Sequence, residues 1–101
     1  MSYLISVKVP GDLAIFTRAL VDRADDFKAI ADKAVAGGAL HHRFGLGDGY
    51  VHVVDEWESP TEFEAFFGEP SLQEFIASVG GDTSVPPEIV VSEAIESPDR
   101  F

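Results

Sequence analysis

The sequence predicts an α+β domain of the ferredoxin-like kind, β-α-β-β-α-β, in which helices cover one face of a four-stranded antiparallel sheet. Three observations carry this expectation. Strand-like runs with alternating apolar positions occur at 3–9, 39–45, 50–57 and 88–95. Segments with helical spacing and start signals fill the first and last intervals between them. The middle two runs are separated only by LGDG, whose Gly and Asp tolerate the backbone angles of a tight hairpin turn.

In the first strand, Tyr3, Ile5, Val7 and Val9 make an apolar face, and Leu4, Ser6 and Lys8 a mixed one. Pro10 and Gly11 end it. Asp12 is a good N-cap for a long helical segment with Phe16, Leu20, Phe27, Ile30 and Ala34 near one stripe, and Gly37–Gly38 supply the stop. The pair Asp25–Asp26 is read as a break between two shorter helices. After the hairpin, the strand Tyr50–Trp57 runs almost without a linker into a helix start. Ser59 caps, Pro60 takes the first helical position where no amide donor is needed, and Glu62 completes a capping box. Phe63, Phe66 and Phe67 form its apolar stripe. Pro70 opens a further helical piece, SLQEFIASV, closed by Gly80–Gly81, and DTSVPP leads to the last strand, EIVVSEAI, and a charged tail expected to be loosely ordered.

Length and composition narrow the classes. With 101 residues the chain is expected to be one domain, 1–101, whose core a partner subunit would help to cover. No apolar run approaches the roughly 20 residues of a membrane helix, and the start MSYLISVKVPG lacks a basic leader and a long apolar segment. A soluble cytoplasmic protein with no membrane partner is the expectation. The absence of cysteine excludes disulfides, thiolate metal sites and a cysteine nucleophile. Eighteen acidic residues against seven basic ones, a net charge of −11, argue against nucleic acid as a partner, because phosphate binding depends on clustered Lys and Arg.

Strand parity then sorts the chemistry-bearing residues. A hairpin loop of even length places His41, Arg43, Tyr50, His52 and Glu56 on one face and Leu40, His42, Phe44, Val51, Val53, Asp55 and Trp57 on the other; a three-residue loop would reverse the pairing. Even length is preferred because it alone gathers the apolar residues into one set. In one allowed register His42 sits opposite Asp55, with Trp57 further along the same row. A carboxylate beside an imidazole fixes its tautomer, and such a pair serves as acid or base near neutral pH, although the two groups could equally just satisfy each other at the sheet's end. On the other face His41 and His52 lack a third ligand, which is a weak case for zinc or iron; hydrogen bonds and ion pairs between subunits, Arg43 with Glu56 foremost, suit that face better. Leu4, Val54 and Val90 on the same outer face would leave an apolar patch exposed, which face-to-face packing in a twofold homodimer would cover.

The order of elements, the strand ending in DEWES, the helix TEFEAFF and the piece PSLQEFIASV together resemble the dimeric α+β barrel superfamily and, within it, the antibiotic-biosynthesis-monooxygenase-like proteins. The resemblance covers nearly the whole chain. It implies a ligand space between sheet and helices, lined here by Trp57, Phe44, Phe63, Phe66 and Phe67, in a superfamily that includes cofactor-independent monooxygenases, haem-degrading enzymes, isomerases and polyketide cyclases. Haem-degrading members supply a proximal His from the second helical region, and no His occurs from Ser59 to Val79. The expectation is a cofactor-independent monooxygenase or isomerase/cyclase-like enzyme acting on a small aromatic or polyketide-like compound, with His42 and Asp55 handling protons and neither cofactor nor metal. The rival is a non-catalytic dimer that binds a small apolar ligand or regulates a partner.

Overall fold

A computed structural model describes residues 1–101. Strands β1 (Tyr3–Pro10), β2 (Ala39–Leu46), β3 (Tyr50–Trp57) and β4 (Glu88–Glu93) form one antiparallel sheet in the order β2-β3-β1-β4. Helices α1 (Leu13–Asp22) and α2 (Ala24–Ala36) connect β1 to β2, and α3 (Pro60–Phe67) and α4 (Pro70–Ser78) connect β3 to β4. Each helical segment of the ferredoxin-like plan is thus a pair of shorter helices. The fold is the expected one.

Local signals act where the sequence placed them. Asp12 accepts from the Ile15 amide at 3.1 Å, and Ser59 accepts from the Glu62 amide at 3.2 Å, so donors left unpaired by each first turn are satisfied. The break in the first helical segment falls at Arg23, not at Asp25–Asp26. Arg23 leaves helical geometry at φ −123°, ψ 34°, whereas Asp25 and Asp26 occupy the first turn of α2, where the helix dipole favours negative charge. The Arg23 guanidinium holds the corner: it binds Asp26 at 2.9 Å and Ser78 at 2.7 Å and lies 4.6 Å from the Phe75 ring centroid. The last strand ends at Glu93, two residues short of the predicted Ile95.

The β2–β3 hairpin has the even-length loop. Gly47 donates to the Tyr50 carbonyl at 2.9 Å around Asp48–Gly49, and Gly49 supplies the positive φ of 79°. His42 therefore pairs with Asp55, Phe44 with Val53 and Leu46 with Val51. A bulge interrupts the ladder between Ala39 and His41. It reverses the parity reading at one point: Ala39, not Leu40, is the buried residue opposite Trp57, and Leu40, the extra residue, is 45% exposed.

Two apolar clusters lie under the helices. Ile5, Val7, Ala39, Trp57 and Phe63 form one, and Phe16, Ala19, Val51 and Val79 the other. Only ten of the 101 residues are buried, because the clusters border an internal space and because the outer face of the sheet is open. Leu4, Val54 and Val90 on that face are exposed. One end of the space is bounded by main chain: Gly11 and Gly81 form a β-bridge, Asp12 donates to the Gly80 carbonyl at 2.8 Å, and Asp82 donates to the Pro10 carbonyl at 2.8 Å. A methyl group on Gly11 would stand 2.4 Å from the Gly80 oxygen, so only glycine permits this approach.

Candidate functional site

The space between sheet and helices is a cavity of about 680 Å³, well within the range of small-molecule sites. Aromatic rings dominate its wall. Phe16, Phe27 and Phe44 meet edge to face, with centroids 5.0–6.0 Å apart, and Phe75 continues the group 5.0 Å from Phe27. Phe63 and Phe67 stack at 5.3 Å on the other side. Of the five residues expected to line the cavity, Phe44, Phe63, Phe66 and Phe67 do so. Trp57 does not: it is 0% exposed and lies behind the wall, packed on Phe63 and Phe66 at 5.7 and 5.4 Å. The rings of Phe16, Phe27 and Phe75 were missed as lining. Their helical stripes were visible in the sequence, but a stripe facing a cavity reads the same as one facing a packed core.

His42 and Asp55 border the same cavity. His42 Nδ1 lies 2.7 Å from Asp55 Oδ1, the short distance of a charge-assisted bond. The second carboxylate oxygen, Oδ2, accepts the Trp57 Nε1–H at 3.0 Å. Asp55 is 8% exposed and both its oxygens are engaged, so it is fixed in position by a rigid indole and in turn fixes the imidazole. The Phe44 ring meets the His42 ring edge to face at 4.5 Å and limits its rotation further. An ionised carboxylate only accepts hydrogen bonds, so Nδ1 carries the proton of a neutral His42 and the Nε2 lone pair is left free. The imidazole is 43% exposed, which leaves it within reach of a ligand and of water. Three residues of one sheet face thus make a chain from buried indole to carboxylate to reachable base. Sequence parity placed them on that face, but the indole's role as donor to Asp55 was not visible.

The outer face carries His41 opposite Glu56, and Tyr50 and His52 with ring centroids 6.2 Å apart. Lys8 pairs with Glu88 at 3.6 Å and lies 5.0 Å from the Tyr50 ring centroid. The expected Arg43–Glu56 pairing does not occur within the chain: Arg43 stands opposite Val54, and Glu56 accepts from the Ser2 hydroxyl. No three His, Asp or Glu side chains converge as a metal site would require, and no helix is long and apolar enough to cross a membrane.

No protein-family model and no curated protein sequence matches the chain. Solved structures do. A Streptomyces coelicolor monooxygenase in complex with nanaomycin D is 18% identical, covering 99% of this chain and 93% of that one with a TM-score of 0.67. A Caulobacter crescentus protein provisionally assigned as an antibiotic biosynthesis monooxygenase is 16% identical, covering 94% and 91% with a TM-score of 0.62. A Mycobacterium tuberculosis protein is 14% identical, covering 98% and 100% with a TM-score of 0.60. Over essentially its whole length the chain therefore has the fold of antibiotic-biosynthesis-monooxygenase-like structures.

Proposed function

We propose that this protein is a cofactor-independent monooxygenase acting on a small aromatic or polyketide-like compound held in the sheet–helix cavity, with His42 as the base. The observation that carries this reading is the placement of an Asp55-held imidazole, its Nε2 free, at the wall of a cavity lined mainly by phenylalanine and aliphatic side chains. The nanaomycin D bound by the Streptomyces coelicolor monooxygenase of the same fold supports an aromatic ligand.

The chemistry needs little more than a base and exclusion of water. A ring carbon flanked by carbonyl or aryl groups gives a proton to His42 Nε2, and the carbanion passes electrons to dioxygen and forms the C–O bond. The imidazolium returns its proton to the peroxide, and loss of water leaves a ketone or quinone. One oxygen atom ends in the product and the other in water, and the substrate supplies all the electrons. Asp55 stabilises the imidazolium that forms between the two proton transfers.

Anthrone, whose methylene is flanked by two aromatic rings, serves as the probe. The protein is expected to accelerate its oxidation to anthraquinone, with oxygen uptake matching product and no flavin, haem or metal added. If the rate with protein equals that in buffer at every anthrone concentration, while anthrone is seen to bind, the site is a binding site and the non-catalytic reading takes its place.

The same reading includes a homodimer that covers Leu4, Val54 and Val90, since so much exposed apolar area on a sheet face calls for a partner. Sedimentation should give the mass of two chains, and Val54→Lys should shift it to one. A single-chain mass for the unaltered protein would refute the dimer and leave the cavity untouched.

A further inference from the structure

The residues that border the cavity divide by exposure. Those on β1, on α3 and on α4 are buried or half-buried, whereas the exposed ones, apart from Asp12 at the start of α1, cluster on two elements: Lys28, Ala31 and Val35 on α2, and the run Leu40–Phe44 on β2. The cavity therefore opens between α2 and β2. Lys28, Ala31 and Val35 share one flank of α2 at helical spacing, so the whole flank forms one lip.

Charge is unevenly distributed at this opening. In a chain with 18 acidic residues, four of the seven basic side chains already hold a carboxylate: Lys8 with Glu88, Arg18 with Asp22, Arg23 with Asp26 and Arg100 with Glu96. Lys28, Lys33 and Arg43 hold none, and two of those three border the cavity. Lys28 has Asp25 three residues before it and Asp32 four after, spacings at which helical ion pairs form, yet it joins neither. Arg43 stands opposite Val54, on the outer-face parity of β2, and it borders the opening because β2 is the edge strand of the sheet, beside which the opening lies. The two carboxylates on the cavity wall, by contrast, are occupied: Asp12 caps α1, and Asp55 holds His42 and Trp57. What remains unmet is positive charge at the mouth of an apolar chamber.

We infer that the ligand is an aromatic acid, its rings lodged among Phe16, Phe27, Phe44 and Phe75 and its carboxylate at the α2–β2 mouth against Lys28 and Arg43. This rests on the reading of the cavity as a ligand site and specifies what it takes. A carboxylate would lose its hydration deeper among the phenylalanines with nothing to replace it; at the mouth it keeps water on one side and meets two cations on the other. The aliphatic stems of Lys28 and Arg43 extend the apolar wall while their charged ends stay wet. The molecule as a whole, at a net charge of −11, repels an anion, so these two side chains decide whether one is accepted.

The test uses two fluorescent probes with the same aromatic body, anilinonaphthalene sulfonate and its uncharged parent phenylnaphthylamine. Both are expected to bind the unaltered protein, the sulfonate more tightly at low salt and with an advantage that shrinks as salt rises. Lys28→Gln and Arg43→Gln should each weaken the sulfonate about threefold and together about tenfold, with no change for the parent. Lys33→Gln, at the unpaired cation outside the cavity, should change neither. If the double variant weakens both probes alike, or neither, the acid-group inference is overturned while binding of the parent keeps the cavity reading alive. If neither probe binds the unaltered protein, both fall.

Discussion

Replacing Trp57 with alanine is expected to cost about 3–5 kcal/mol of stability, read by chemical denaturation. Trp57 is fully buried, packs between Phe63 and Phe66, and is among the largest side chains in the core. Against a total stability of roughly 5–15 kcal/mol for a domain of this size, that loss takes the chain close to unfolding. Trp57→Phe separates the two roles of the residue. It keeps most of the packing but leaves Asp55 Oδ2 without its donor, and an unsatisfied buried carboxylate oxygen is expected to cost about 1–3 kcal/mol. The imidazole responds too. With Asp55 less firmly held, nitrogen NMR of His42 should change from one ring tautomer to a mixture. A stable Trp57→Phe protein with an unchanged His42 spectrum would mean that the indole only fills space.

The second large effect concerns turnover. His42→Ala should lower the anthrone oxidation rate by about 10²–10⁴-fold, the usual contribution of a positioned base. Asp55→Asn is the sharper test, because the change preserves shape. Its amide has one acceptor and one donor end; with the oxygen kept on the Trp57 N–H, the NH₂ faces His42 Nδ1 and forces the proton onto Nε2. The base is then blocked without being removed, and the rate should fall by a similar factor of about 10²–10⁴. The two changes combined should cost little more than either alone, as expected for groups that act as a unit. Phenylnaphthylamine affinity, which does not depend on the base, should stay within about twofold in each variant if the fold is intact. Full turnover in Asp55→Asn would show that the pair is structural.

Much of this could be read from the residues because it depends on short-range rules. The caps at Asp12 and Ser59, the stops at Gly37–Gly38 and Gly80–Gly81, and the Asp48–Gly49 turn each announce themselves within four or five positions. Once the loop length is even, the parity of the strands puts His42 and Asp55 on one face, and the two-residue loop at Asp48–Gly49 then selects the register that sets them opposite each other. Three features lie outside such rules. The bulge at Leu40 inserts one residue between Ala39 and His41, neither of them a glycine or proline that would mark it, so parity failed at that position. The Trp57–Asp55 bond depends on how two same-face side chains are rotated, which a two-residue spacing permits without requiring. The cavity is a volume, and the phenylalanine stripes that bound it carry the same pattern whether they touch one another or leave a gap. Asp25–Asp26 misled for a different reason: acidic residues that look like a helix breaker in isolation are a helix opener when a non-helical residue precedes them.

The three-glycine closure at Gly11, Gly80 and Gly81 has a bearing on how relatives of this protein could diverge. A wall made of backbone offers no side chain to enlarge or trim, and even a methyl group at Gly11 collides with a main-chain oxygen. That end is therefore frozen, and any retuning of ligand size or polarity has to be written into the side chains of the remaining wall and of the lip formed by α2 and β2. Diversity in ligand preference among descendants of this architecture should accordingly accumulate at positions such as 28, 31, 35, 40 and 43, while the glycines stay as they are.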